Sequence, residues 1–124
     1  FNGADMALAG DAHAMHATTG ETVRFIFGVG GPNYVSSFHV IGEIFDRVYD
    51  QASLTSSPLT DVQTTLVPPG GATVVEFRLE VPGRYILVDH ALSRMQRGLA
   101  GFLYVAGDPA PEFFDGEVTA GSGH

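Results

Sequence analysis

The chain has 124 residues, of which 44% are apolar and 16% charged, the length and composition of one folded domain rather than of a disordered segment. Fourteen acidic against six basic residues give a formal charge of -8, which argues against binding to nucleic acid. The absence of cysteine excludes disulfides, zinc–thiolate sites and a thiolate-ligated copper centre. No run of about 18 apolar residues is present, so no membrane segment is predicted.

Short extended segments separated by turns make up most of the chain. Strands are predicted at 22–27, 35–41, 44–49, 64–67, 72–81, 84–88 and 101–107. The Ser-, Thr- and Pro-rich stretch 51–61 is predicted to be a surface loop. One short helix is predicted near residues 91–98, where period-two alternation is lost and Gly98 provides a stop. About seven short strands with this turn spacing indicate an all-β Greek-key sandwich or barrel.

Two of these segments differ in the faces they are predicted to bury. In 72–81, apolar residues occupy every second position from Val75 to Val81, so one face is assigned to the core. The segment 84–88 is apolar almost throughout and is predicted to be buried on both faces or covered by a partner.

The five histidines differ in their sequence surroundings. His124 follows a Gly-Ser spacer and is assigned to an affinity tag. His13 and His16 are interpreted as solvated residues near the N-terminus. His39 and His90 lie within or at the end of apolar strands, where an unpaired imidazole is costly to bury. Spacing alone favours a backbone-bonded core histidine, although a Greek-key fold could bring the two together.

Four stretches carry a resemblance to a known family. They are SSFHVIGEIFD at 36–46, QTTLVPPGG at 63–71, PGRYILVDH at 82–90 and GLAG at 98–101. In order and spacing, the chain resembles the second, C-terminal cupredoxin domain of copper-containing, nitric-oxide-forming nitrite reductases. The resemblance implies a single cupredoxin domain over residues 1–114, followed at 115–124 by a tail with a tag remnant.

The resemblance also implies roles for individual residues. In that family a type 2 copper site is shared between neighbouring subunits of a homotrimer, and histidines of the first domain supply the other ligands. His90 corresponds to the copper ligand and His39 to the catalytic histidine that helps deliver protons. Ile41 corresponds to an apolar residue over the copper. Thr64, with the backbone of Gln63, corresponds to the segment that orients the catalytic histidine.

The implied reaction is the reduction of nitrite to nitric oxide by the complete protein. Because the chain lacks cysteine, it has no type 1 copper site, and on its own it is expected to be inactive. The resemblance implies nitrite, the first cupredoxin domain and an electron-donor protein as partners, and a periplasmic, cell-envelope or secreted location.

Two other interpretations remain open on the sequence. The chain could be a stand-alone copper-binding or scaffold domain in which His39 and His90 chelate together or are structural. It could also belong to a two-domain multicopper oxidase. The trinuclear centres of those enzymes use His-x-His and His-Cys-His pairs, and here each key histidine stands alone.

Overall fold

The computed structural model describes residues 1–113, which form two β-sheets around a shared core. Sheet A has the strand order β1-β9-β8-β3-β6, and sheet B has the order β2-β7-β4-β5. The strands are β1 Met15–Thr18, β2 Thr22–Gly28, β3 Ser36–Ile41, β4 Phe45–Tyr49, β5 Leu59–Val62, β6 Thr65–Val67, β7 Ala72–Arg78, β8 Gly83–Asp89 and β9 Ala100–Ala106. A short helix, α1, spans Leu92–Met95, and a 3-10 turn spans Asp50–Ala52.

The core between the sheets is built around stacked phenylalanines. The ring of Phe38, on β3, lies 4.1 Å from that of Phe27 and 5.7 Å from that of Phe45, measured between centroids. Phe45 in turn contacts Phe77 of β7 at 5.8 Å. Because β3 belongs to sheet A and the three partners to sheet B, these rings join the two sheets by burying apolar surface.

The predicted all-β class with one short helix is confirmed, with differences in the shorter elements. Residues 1–113 contain nine strands, since β1 and β5 were not predicted. Both are four-residue strands at a sheet edge. Strand β5 overlaps the end of the predicted loop 51–61, and Val62 is its one partly buried residue. Strand β1 alternates between partly buried and exposed residues over only four positions and β5 does not alternate, so neither gives a clear strand pattern in the sequence. Phe114 and the predicted tail 115–124, including His124, lie outside the described residues.

Strand β7 is buried on both faces rather than on one. Val75 and Phe77 face the core, as predicted, but Glu76 on the opposite face is also only 6% exposed. The strand register places Arg24 of β2 and Arg47 of β4 on either side of Glu76. Both arginines form ion pairs with it and cover the carboxylate. Paired charges thus allow a residue on the outer face of a central strand to be buried.

The turn after β3 carries an acidic residue with an unusual protonation preference. The N–H of Glu43 donates to the carbonyl of Val40 at 3.0 Å, closing a turn that leads from sheet A to sheet B. Partial burial, with the negative charges of Asp46 and Glu80 nearby, raises the pKa of Glu43 from 4.5 to about 7. The folded chain therefore favours the protonated form of Glu43 more than the unfolded chain does.

We expect Glu43→Gln to make the domain more heat-stable than the unmodified chain at about pH 8, with little difference at about pH 4. The stabilisation from a raised carboxyl pKa is complete below 4.5 and is lost as pH rises through about 7. Melting temperatures measured by circular dichroism between about pH 4 and pH 8 test this prediction. The control is Glu112→Gln, because Glu112 is exposed. A difference that stays constant with pH would contradict the assignment.

Candidate metal and proton-transfer site

His39 and His90 meet at one end of sheet A. The register of the antiparallel pair β3 and β8 sets Phe38 opposite Asp89, so His90 follows directly at the strand end. Its N–H donates to the carbonyl of Ser37 at 2.8 Å. The two imidazole rings stack with centroids 5.4 Å apart and planes inclined by 28°. The proximity that the sequence left open is therefore present in the fold.

His39 is buried, and both its ring nitrogens face the same residue. Its exposed fraction is 5%. Nδ1 lies 2.6 Å from the main-chain oxygen of Gln63, and Nε2 lies 3.3 Å from the side-chain nitrogen of Gln63. A carbonyl oxygen only accepts, so Nδ1 carries the proton of the neutral ring and Nε2 keeps the lone pair. Such a ring can take up a proton only at Nε2.

The surroundings of His39 favour its neutral form. Burial lowers the pKa of His39 below its ordinary value of 6.5, and the nearby His90 lowers it further. The hydrogen bond to the Gln63 carbonyl acts in the opposite direction but does not outweigh burial. At neutral pH the ring is thus a proton acceptor, the form in which it can receive and pass on a proton.

The backbone around His90 is held by a buried carboxylate, while its own ring is exposed to solvent. Asp89 is 1% exposed and accepts hydrogen bonds from the N–H groups of Ser37 (3.3 Å) and Ala91 (3.0 Å) and from Nε of Arg94 (2.8 Å). These bonds lower the pKa of Asp89 even though burial acts to raise it. The exposed imidazole is therefore presented from a fixed backbone position.

The other predicted site residues lie near this pair. Ile41, two residues after His39 on the same strand face, is 42% exposed. Thr64 is partly buried in the connection between β5 and β6, next to Gln63. Among the hydrogen bonds within residues 1–113, those to the His39 ring come from Gln63. The roles predicted for Ile41 and Thr64 stay predictions.

Two histidines belong to a different part of the surface. His13 and His16 are exposed, and His16 on the edge strand β1 stacks on Tyr104 with ring centroids 5.7 Å apart. This arrangement agrees with their interpretation as solvated side chains.

Sequence reasoning missed three parts of the site: Asp89, Arg94 and the side chain of Gln63. A signal for the first two was present, because an acidic residue directly before His90 has an arginine five positions later in the predicted helix. That spacing allows a local ion pair at the strand end. The contact from the Gln63 side chain had no such signal, since it depends on how β5 and β6 cross between the sheets.

The donor set fits a copper ion only in part. An exposed imidazole such as that of His90 is a ligand type that suits Cu(II). Within residues 1–113, however, no group of three or more His, Cys, Asp or Glu side chains is placed to hold a metal ion. A metal site with three or more such side chains, one of them His90, would need donors from outside these residues. The same residues include no helix long and apolar enough to cross a membrane.

Comparison with protein families and curated sequences identifies relatives of this chain. Residues 2–108 match the family described as multicopper oxidase. The copper-containing nitrite reductase of Neisseria meningitidis serogroup A is 51% identical over 90% of this chain and 28% of its own length. The Neisseria gonorrhoeae copper-containing nitrite reductase is 48% identical over 99% of this chain. The chain spans 28% and 32% of these two relatives, respectively.

Solved structures give the same result. The Cu-containing nitrite reductase (NirK) from Thermus scotoductus SA-01 is 31% identical, with a TM-score of 0.79 over 89% of this chain and 25% of that chain. The copper nitrite reductase from Nitrosomonas europaea is 31% identical, with a TM-score of 0.78 over 90% of this chain and 41% of that chain. The resemblance expected from the sequence is confirmed. The chain belongs to the multicopper oxidase family, as a cupredoxin-fold domain of the type found in copper-containing nitrite reductases.

Proposed function

We propose that this chain is the second cupredoxin domain of a nitric-oxide-forming nitrite reductase, to which it contributes one copper ligand and one proton-transfer histidine. The observation that carries the proposal is the His39–His90 pair. The ring of His39 is buried, neutral and hydrogen-bonded to a main-chain carbonyl. The ring of His90 is exposed, and hydrogen bonds to Asp89 fix the backbone beside it. The two histidines thus have the different environments that proton transfer and metal binding require.

The missing donors support a site shared with another domain. His90 would be one ligand of a type 2 copper, and histidines of a first domain would complete the shell. The outer face of sheet A beside His39 also carries two exposed aliphatic side chains, Ile41 at 42% and Leu66 at 62%. Exposed apolar side chains on either side of an incomplete site are suited to packing against a partner domain.

In the proposed reaction nitrite takes up one electron and two protons and yields nitric oxide and water. Copper, when bound by His90 and the first domain, would supply the electron and a Lewis-acidic position for nitrite. His39 would hold and transfer a proton at Nε2, because Nδ1 is committed to the Gln63 carbonyl. Ile41 would limit the space beside His39, and Thr64, with the Gln63 backbone, would help fix the ring.

The remaining parts of the proposal concern the complete protein. We place the site between neighbouring subunits of a homotrimer, and the protein in the periplasm, cell envelope or secreted fraction. Since a type 1 copper needs a cysteine and this chain has none, electrons from a donor protein would enter through the first domain. The isolated chain is accordingly proposed to be inactive.

A copper titration followed by electron paramagnetic resonance tests the proposal. The chain is titrated alone and together with the part of the Neisseria meningitidis relative that it does not cover. We expect weak copper binding by the chain alone and a type 2 signal in the mixture. His90→Ala should abolish that signal, whereas His39→Ala and the exposed control His16→Ala should preserve it.

Two outcomes would overturn this assignment. Tight copper binding by the chain alone through both His39 and His90 would make it a copper-binding domain in its own right. Steady nitrite reduction by the purified chain with copper and a reductant would show that no first domain is required.

A further inference from the structure

Gln63 lies where the chain crosses from one sheet to the other. The paired residues of β5 end at Val62, and those of β6 begin at Thr65. The main-chain oxygen of Gln63 is therefore outside both strand ladders and is available to Nδ1 of His39, 2.6 Å away. The same residue then reaches round the ring, so that its side-chain nitrogen lies 3.3 Å from Nε2.

The two contacts are chemically consistent with each other. Because the carbonyl accepts a hydrogen bond from Nδ1–H, Nε2 presents a lone pair, and only a donor can face it favourably. The NH₂ end of the Gln63 carboxamide is such a donor, which also fixes the orientation of the amide. One residue thus satisfies both nitrogens of a nearly buried histidine.

The two contacts differ in how easily they can be broken. The carbonyl is part of the backbone between two strands, and its bond to Nδ1 is short. The carboxamide is at the end of a flexible side chain of an exposed residue, and its bond to Nε2 is long. Breaking it costs only side-chain rotation and leaves the amide in water.

We propose that the Gln63 side chain is a displaceable cover over Nε2 of His39. Its NH₂ group donates to this nitrogen until the O–H group of a water molecule or of a protonated oxyacid takes its place. Gln63 is a positioning residue, since it acts through His39 and transfers no proton itself. The identity of the incoming ligand rests on the proposed function. The cover itself is a property of this chain without copper.

Carbethoxylation by diethyl pyrocarbonate, followed by mass spectrometry, tests the cover, because this reagent is attacked by an unprotonated imidazole nitrogen. Gln63→Ala keeps the main-chain bond to Nδ1 and removes the donor at Nε2. We expect His39 to react about fivefold faster in this variant, the factor corresponding to one neutral hydrogen bond. The variant Gln63→Met, which has a side chain of similar length without a charge or an N–H donor, should have the same effect. Labelling of the exposed residues His13 and His16 provides the internal reference.

The matched control is Gln51→Ala, since Gln51 is an exposed glutamine in the 3-10 turn that packs on β7 of sheet B. An unchanged His39 rate in both Gln63 variants would overturn the proposal, and so would an equal increase in Gln51→Ala. Long-range proton–nitrogen NMR of the unmodified chain gives a second test that needs no variant. A proton on Nδ1 supports the proposal. A proton on Nε2 overturns it, because Nε2 could then not accept a hydrogen bond from the Gln63 carboxamide.

These measurements are separate from those on copper. If the copper titration fails, the proposed function falls while the reactivity and tautomer of His39 still decide the role of Gln63. If the Gln63 variants behave like the unmodified chain, the cover is rejected while the copper assignment stands.

Discussion

Replacing Asp89 with alanine is expected to destabilise the domain by about 3–5 kcal/mol, because three hydrogen bonds to a buried charged acceptor are lost together. Asp89 is 1% exposed and accepts hydrogen bonds from two main-chain N–H groups as well as from Arg94. Without the carboxylate the two partly buried main-chain N–H groups lose their acceptor, whereas Arg94, whose side chain is 30% exposed, can still reach water. The loss should also release the backbone of His90, so a copper signal from the assembled site should weaken with it.

Urea unfolding followed by fluorescence or circular dichroism measures this effect. Asp89→Asn keeps the volume and one acceptor but removes the charge facing Arg94, so its effect should lie between those of the unmodified chain and Asp89→Ala. Asp108→Ala, at an exposed position, serves as control and should stay within about 0.5 kcal/mol of the unmodified chain. A cost for Asp89→Ala below about 1 kcal/mol would show that the carboxylate does not hold this strand end.

Phe38→Ala is the second substitution with a large expected effect, about 3–5 kcal/mol of lost stability. Phe38 is 1% exposed and stacks between Phe27 and Phe45, so truncation removes apolar burial and leaves a cavity where the two sheets meet. A domain of this size has a total stability of about 5–15 kcal/mol, so the variant should be near the limit of folding at room temperature.

The control for Phe38→Ala is Phe113→Ala, because the side chain of Phe113 is 74% exposed. It should change the free energy of unfolding by no more than about 0.5 kcal/mol. The denaturant midpoint should fall for Phe38→Ala while the slope of the transition stays the same. Equal midpoints for the two variants would contradict the assignment of Phe38 to the centre of the core.

The two substituted residues, Phe38 and Asp89, lie on the neighbouring strands β3 and β8 that carry His39 and His90. On β3, Phe38 points into the core and His39 points outward, because side chains alternate along a strand. The core rings therefore fix β3, and the hydrogen bonds to the buried carboxylate of Asp89 fix the end of β8. Between them they set the position of His39 relative to His90, which explains why a site with an exposed ring can still be well ordered.

The longer elements were predictable from the sequence because each has a strong local pattern. The alternation in β2 and β7 and the apolar run of β8 identify strands without any tertiary information. The edge strands β1 and β5 were not predictable in this way, since pairing with a neighbour defines them more than their own side chains do. The ion pairs of Glu76 with Arg24 and Arg47 also depend on the register between strands, which local sequence does not encode.

The sequence by itself determined the all-β class, the exclusion of thiolate chemistry and the placement of His39 and His90 in apolar strands, because these follow from residue types and local periodicity. The roles of the two histidines were implied by the resemblance to a known family. Only the tertiary structure decided that the two rings lie 5.4 Å apart, that Asp89 holds the backbone beneath His90 and that Gln63 contacts both nitrogens of His39. These contacts join residues far apart along the chain, and the register of β3 against β8 and the crossing between β5 and β6 place them together.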